Sequence, residues 1–215
     1  MSTEPRARAF PHLDGLRHAY DRDAGRRNAF SDLQWRPSVL EEWLQSLPES
    51  PRLLELGAGT GQLALHVQGL GASVEAIDLS AENVAYCRQR GVSAQVGDFR
   101  LLGAMAGLGL FAGVYAINSL LHVPRCEHAA VLTSVCEILL PGGGVLLVSW
   151  GGRDEEGIWR EDSCDPPRFF SFYDDAAFAS LAFDGFEVVR RGVLSAATSD
   201  GLRPQLLMLK KLPRL

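Results

Sequence analysis

Glu55, Gly57, Gly59, Gly61, Asp78 and Asp98 are the residues whose types and spacing most directly imply chemistry. An apolar run, Leu53-Leu54-Glu55-Leu56, passes straight into Gly57-Ala58-Gly59-Thr60-Gly61. Small residues there let backbone N–H groups approach a ligand closely, and the N-terminus of a following helix favours an anionic or polar partner. Asp78 lies 21 residues after Gly57, at the end of a second run, Ser73-Val74-Glu75-Ala76-Ile77. A glycine loop with an acid about 20 positions further on is the pattern of a nucleotide-type site, in which the carboxylate accepts from ribose hydroxyls. A dinucleotide fingerprint runs G-x-G-x-x-G. Here the glycines fall at 57, 59 and 61, and Gln62 stands where the third glycine of that fingerprint is expected.

With Glu55 two residues before the first glycine, the segment resembles motif I of class I S-adenosylmethionine (SAM)-dependent methyltransferases, E/D-x-G-x-G-x-G. Three further segments resemble that family in the same order. Val96-Gly97-Asp98-Phe99 is similar to its G-D-hydrophobic motif. Asn118-Ser119-Leu120-Leu121-His122-Val123-Pro124 is similar to the segment many small-molecule members carry after the fourth strand. Leu139-Leu140-Pro141-Gly142-Gly143-Gly144 is similar to its L-x-P-G-G turn. The resemblance covers residues 53 to 149. It implies SAM as cofactor and S-adenosylhomocysteine (SAH) as product. Glu55 would hold the glycine loop or reach the methionine ammonium. Gly57, Ala58, Gly59 and Gly61 would form the cofactor loop. Asp78 would grip the ribose, with Leu79 packed on the adenine. Asp98 would meet the adenine amino group beside Phe99, and Asn118 completes the cofactor set.

The reacting partners are less defined. His122 is the histidine next to the expected cofactor pocket, and a group titrating near neutrality can take an acceptor's proton. The alternative is a hydrogen-bonded structural histidine. Acceptor binding falls to two segments. The first is the N-terminal helix with Tyr20 and Arg27. The second is residues 151–173, an expected acceptor lid, with Trp150 before it and Arg168 and Phe170 within it. Aromatics with a few polar groups suit a small organic ligand, and arginines there can pair with a carboxylate or phosphate. Equally, these aromatics can be core and these arginines solvated. A structureless run as long as 151–168 is uncommon unless it is functional.

These residues need a frame to bring them together. Residues 1–11 read as a loose leader. Helical spacing over 12–29 predicts a helix over the cofactor mouth, and Pro37 predicts a second helix reaching about Leu47. Residues 1–36 form an expected N-terminal cap. From Arg52, strands are expected near 52–56, 74–78, 93–96, 112–118 and 143–149. Helices are expected near 60–69, 81–90 and 126–139, with Ser80 as an N-cap. Such alternation gives a mostly parallel sheet with helices on both faces and ligands beyond its carboxyl ends. Residues 174–183 read as a helix. Strands at 186–191 and 205–209 flank the turn signal Ser199-Asp200-Gly201. The roughly 13 residues between them are too few for a helical crossover, so an antiparallel hairpin follows. The expected fold is a seven-stranded Rossmann-like α/β sheet with one reversed strand, in a single domain over 1–215.

Composition bounds the partners. The 215 residues are 47% hydrophobic and 22% charged, with a formal net charge of −5 and only two lysines, Lys210 and Lys211. No basic stripe suggests nucleic acid, no apolar run approaches the roughly 18 residues of a membrane span, and no apolar signal core opens the chain, so a cytoplasmic home is expected. Cys87, Cys126, Cys136 and Cys164 form no C-x-x-C pair, and no His/Asp cluster suggests a metal. The expected activity is methyl transfer from SAM to a small-molecule acceptor by in-line displacement, the protein acting mainly by positioning. A SAM-binding protein without methyl transfer, and a NAD(P)-dependent oxidoreductase, are the alternative readings.

Overall fold

The structure, a computed structural model, describes residues 12–30, 33–105, 108–199 and 201–213. The expected leader, 1–11, and Asp200 of the expected turn lie outside them. Seven strands form one sheet: β1 (Arg52–Leu56), β2 (Ser73–Asp78), β3 (Ser93–Val96), β4 (Phe111–Ile117), β5 (Leu139–Gly151), and the terminal pair β8 (Phe186–Val193) and β9 (Arg203–Lys211). Their order is β3-β2-β1-β4-β5-β9-β8. The first five pair in parallel, and β9 runs antiparallel to both of its neighbours. The seven-stranded sheet with one reversed strand in a terminal hairpin is therefore present as expected. The order reverses between β1 and β4, which is where ligands bind in open α/β sheets.

Alternation along the strands divides the core in two. Leu54, Val114, Val145 and Leu207 join Val131, Leu132 and Val135 of α5 (Arg125–Ile138) on one face. Leu53, Tyr115, Leu146 and Leu206 join Leu40 and Trp43 of α2 (Arg36–Leu44), Val67 of α3 (Gln62–Gly69) and Cys87 of α4 (Ala81–Gln89) on the other. The central strand β4 is buried at every residue, as a strand covered on both faces must be. Glycine lets α2 sit this close. A Cβ on Gly113 would lie 2.7 Å from the Trp43 ring, and one on Gly144 would lie 2.9 Å from Leu47.

The first helix, α1 (Leu13–Ala29), lies against α4 and is tied down at several points. The Ser80 hydroxyl accepts from the Asn83 N–H as the N-cap of α4 and donates to Asp21 at 2.5 Å. Arg90 donates to Asn28 Oδ1 at 2.6 Å, and Gln62 Nε2 donates to the Phe30 carbonyl at 2.7 Å. No helix among the described residues is long and apolar enough to cross a membrane.

Three segments differ from expectation. The run 151–168 is not structureless. It holds β6 (Glu155–Ile158), which pairs antiparallel with β7 (Phe169–Phe172) as a separate two-stranded sheet. Main-chain pairing joins the polar strand β6 to β7, whose Phe170 and Phe172 pack with Leu121 and Leu202. The Pro141-Gly142-Gly143 segment does not precede β5 but interrupts it. Leu139 already pairs with Phe111, and the register shifts before Gly113 meets Gly144, with Gly142 at φ +74°. Downstream, α6 (Asp175–Ser180) is shorter than the expected 174–183.

Candidate functional site

Beyond the carboxyl ends of β1, β2 and β4 lies a cavity of about 390 Å³, roofed by α1. That volume falls within the roughly 300–1,000 Å³ of small-ligand sites. Glu55, Gly57, Ala58, Gly59, Asp78 and Leu79 stand in its wall, as do Asp98, Phe99 and Asn118. Tyr20, Arg27 and His122 do so from the acceptor set. Four residues are elsewhere. Gly61 starts α3 at φ +80° with its Cα facing Cys87, where a Cβ would lie 2.9 Å from the sulfur. Trp150 packs edge-on against Trp35. Phe170 belongs to a small cluster with Leu121, Phe172 and Leu202. Arg168 sits behind Tyr20, paired with Asp162.

The glycine turn is held from beneath. The N–H groups of Gly57 and Ala58 both reach the Ile77 carbonyl, at 2.7 and 3.3 Å. Gly59 donates to Asp78 Oδ2 at 2.8 Å, while Ser80 N–H and Asn83 Nδ2 donate to Oδ1 at 2.9 and 3.2 Å. Burial pushes the Asp78 carboxyl up, and the hydrogen bonds from Ser80, Gly59 and Asn83 pull the other way. Asp98 caps the 3₁₀ turn Phe99–Ala104 through the Arg100 N–H at 3.0 Å. The Arg100 guanidinium engages both Asp98 oxygens and reaches Glu127. This arginine, two residues beyond the acid, was not singled out by its sequence position.

Glu55 and Asn118 bring acceptor oxygens to the site. The Glu55 carboxyl is fully buried and takes a hydrogen bond from the Tyr115 hydroxyl at 3.0 Å. Burial pushes it up to about 8, against the pull of the Tyr115 bond, and the nearby Asp78 charge adds to the rise. Asn118 is held at φ +56°, and its buried Oδ1 has no partner among the described residues. A cation with N–H donors, such as an α-ammonium group, answers both. The glycine turn, the Asp78 carboxylate and this acceptor pair are thus chemically suited to an adenosyl amino acid. Among the described residues, no group of three or more His, Cys, Asp or Glu side chains could hold a metal.

A pH dependence follows. Glu55 is raised in the folded protein from 4.5 to about 8, so between those values the folded state holds a proton the unfolded state has lost. Stability from this group therefore falls as pH rises, by at most about 1.4 kcal/mol per unit. His122, lowered by burial from 6.5 to about 3, acts in the opposite sense below 6.5 and is silent above it. The ligand-free protein should lose urea resistance from pH 6.5 to 8, and Glu55→Gln should flatten that slope. An unchanged slope in the variant would show the carboxyl is already ionised.

His122 is bonded at both ring nitrogens. Nδ1 lies 2.7 Å from the Phe169 carbonyl and Nε2 lies 2.5 Å from the Tyr20 hydroxyl. Arg27 is bound through Nε to Asp23 at 2.7 Å and lies over the Tyr20 ring at 4.8 Å. Arg36 and Ser119 also line the cavity. The Ser119 hydroxyl donates to the Leu56 carbonyl at 2.5 Å.

A family model described as a methyltransferase domain matches residues 26–190, well over half of the chain. A ubiquinone biosynthesis O-methyltransferase of Xanthomonas oryzae pv. oryzae is 35% identical over 101 residues, a stretch covering 45% of this chain and 41% of that protein. The chain thus matches less than half the length of these curated relatives. The fold is similar to that of the Burkholderia thailandensis 1,6-didemethyltoxoflavin-N1-methyltransferase, solved with 1,6-didemethyltoxoflavin and SAH. The TM-score is 0.72 at 16% identity, over 99% of this chain and 94% of that one. It is also similar to the magnesium protoporphyrin IX methyltransferase of Synechocystis PCC 6803 with bound SAH, at TM-score 0.66 and 15% identity, over 93% and 99% of the two chains. With the family model matched across most of its length and the seven-stranded sheet in place, the chain belongs to the class I SAM-dependent methyltransferases.

Proposed function

We propose that the protein transfers the methyl group of SAM to a small-molecule acceptor, releasing SAH. The observation that carries this reading is the convergence of the Gly57–Gly59 turn, Asp78 and the acceptor pair Glu55 and Asn118 on one cavity beside the β1/β4 reversal. When bound, SAM supplies an electrophilic methyl carbon, whose bond to sulfur breaks as the acceptor's lone pair forms the new bond. The protein's part is binding, orientation and exclusion of water. Asp78 would accept from the ribose hydroxyls, Glu55 and Asn118 from the methionine ammonium. Leu79, Gly97 and Phe99 would flank the adenine, with Asp98 and Arg100 at its polar edge. Holding two reactants in line can supply about 7–11 kcal/mol of barrier reduction.

Tyr20, Arg27 and His122 would form the acceptor end. Arg168, Phe170 and Trp150 would support it from behind, through Tyr20 and through the β6–β7 arm. A chain with formal net charge −5 suits a small acceptor better than nucleic acid, and we place the protein in the cytoplasm as one catalytic domain capped by α1. The O-methyltransferase names of the curated relatives favour an oxygen nucleophile. Calorimetry with SAH and with SAM tests the reading: one site for each is expected, followed by label transfer from methyl-labelled SAM to a panel of phenols, carboxylates and amines. No heat with either compound would overturn it.

A further inference from the structure

The polar chain behind the acceptor end fixes where each proton sits. The Phe169 carbonyl can only accept, so His122 Nδ1 carries the hydrogen at that 2.7 Å contact. A neutral ring then has a bare lone pair on Nε2, and the Tyr20 hydroxyl must donate to it across 2.5 Å. The same Tyr20 oxygen accepts from Arg168 Nη1 at 3.1 Å. Arg168 is itself fixed by Asp162, through Nε at 2.7 Å and Nη2 at 2.8 Å. With its only proton committed to His122 and one lone pair taken by Arg168, the Tyr20 oxygen has acceptor capacity alone to offer the cavity, whose wall holds both Tyr20 and His122.

We propose that Tyr20 is the catalytic residue that receives the acceptor's hydroxyl, and that its enforced acceptor-only state selects O–H compounds over their methyl ethers. The inference rests on the methyl-transfer reading above and names its substrate class. Charge suits a hydroxyl acceptor. Arg27 and Arg168 flank the Tyr20 ring at 4.8 and 5.3 Å, each tied to one acid, Asp23 and Asp162. Two guanidiniums beside the ring stabilise negative charge developing on oxygen.

The proton balance closes within the chain. As the acceptor oxygen gains its methyl group, its proton passes to Tyr20 Oη and the Tyr20 proton passes to His122 Nε2. The neutral ring becomes an imidazolium, and the site's positive charge moves from sulfonium to imidazole without changing in total. His122 is lowered by burial and by Arg168, so its proton returns to Tyr20 Oη as Tyr20 passes the acceptor's proton to water, which restores the acceptor-only state. The methyl ether has no hydrogen for Tyr20 to accept, which aids its release. Arg168 is a positioning residue here, acting through Tyr20, and His122 is the terminal base of the relay.

The test is binding of phenol and of anisole to the SAH-saturated protein, followed by ligand-observed NMR, in wild type, Tyr20→Phe and His122→Ala. Wild type should bind phenol about tenfold more tightly than anisole, the value of one hydrogen bond. Tyr20→Phe should bring the ratio near one while SAH affinity holds. His122→Ala frees the Tyr20 proton to donate, so anisole should gain and the ratio fall. That gain is a change a merely structural role would not produce. A wild-type ratio of one, no phenol binding, or a ratio kept in both variants would overturn the proposal. Loss of SAH binding by wild type would instead strike the methyl-transfer reading.

Discussion

Gly57→Ala should destabilise the protein by about 2–5 kcal/mol, while Gly59→Ala, two residues on in the same turn, should cost about 1 kcal/mol and chiefly weaken SAH binding. The contrast comes from what each new Cβ would meet. Both glycines have positive φ, +75° and +55°, so each alanine carries the strain of the left-handed region. At Gly57 the added carbon would also fall 2.3 Å from Ser119 Cβ. That side chain cannot retreat, because its hydroxyl holds the Leu56 carbonyl at 2.5 Å and the backbone behind it leads into the 3₁₀ turn Leu120–His122. The overlap must be relieved by moving β1 or β4, the two strands on either side of the crevice. At Gly59 nothing lies within 4 Å of the new carbon, which enters open space beside the cavity. Urea unfolding with parallel SAH calorimetry on both variants checks this. Equal stability losses would mean that the turn's strain, not the contact with Ser119, sets the cost.

The same pair of strands shows what could be read from the chain and what could not. Strand positions were legible because β1, β4 and the later half of β5 are near-continuous apolar runs, the mark of strands covered on both faces, while β2 carries Val74, Ala76 and Ile77 between polar residues. The terminal hairpin was legible because too few residues separate its strands for a crossover helix. Gly57, Asp78, Asp98 and Asn118 were legible as a group because each ends a strand, and parallel strands bring such ends to one edge. The β6–β7 arm was not, since Glu155-Glu156-Gly157-Ile158 carries no alternation and pairs through its backbone. Nor was the Tyr115 bond to Glu55. It depends on the register that sets Glu55 beside Tyr115 across β1 and β4, 60 residues apart in sequence. Tyr20 and His122 were each singled out, but the bond between them joins residues 102 apart and appears only once α1 folds over the sheet. Arg100 and Ser119 were missed for a different reason: each acts on a neighbouring group already recognised, Asp98 or the glycine turn, and carries no motif of its own.

Asp78→Asn should weaken SAH binding by a hundredfold or more, the largest binding loss expected of any single conservative change in the cavity. A hydrogen bond to a charged acceptor is worth about 1.5–3 kcal/mol, and a ribose diol offers two of them. The substitution keeps the shape but replaces one oxygen by an N–H₂ group. Both oxygens of that carboxylate already carry protein donors, Gly59 N–H on Oδ2 and Ser80 N–H with Asn83 Nδ2 on Oδ1, which leaves Oδ2 with acceptor capacity for the ribose. Whichever way the amide turns, a donor faces a donor, at a cost of about 1–3 kcal/mol in stability. The glycine turn and the start of α4 then lose their common anchor. Asp98→Asn makes the discriminating comparison. Its two oxygens are held by the Arg100 guanidinium, a partner that remains able to bond the amide oxygen and to face the adenine edge itself. The expected loss there is about tenfold, one hydrogen bond's worth. Calorimetry of both variants at one pH settles the order. If Asp98→Asn proved the more damaging, the polar edge formed with Arg100, not the carboxylate at the end of β2, would be the principal grip on the cofactor.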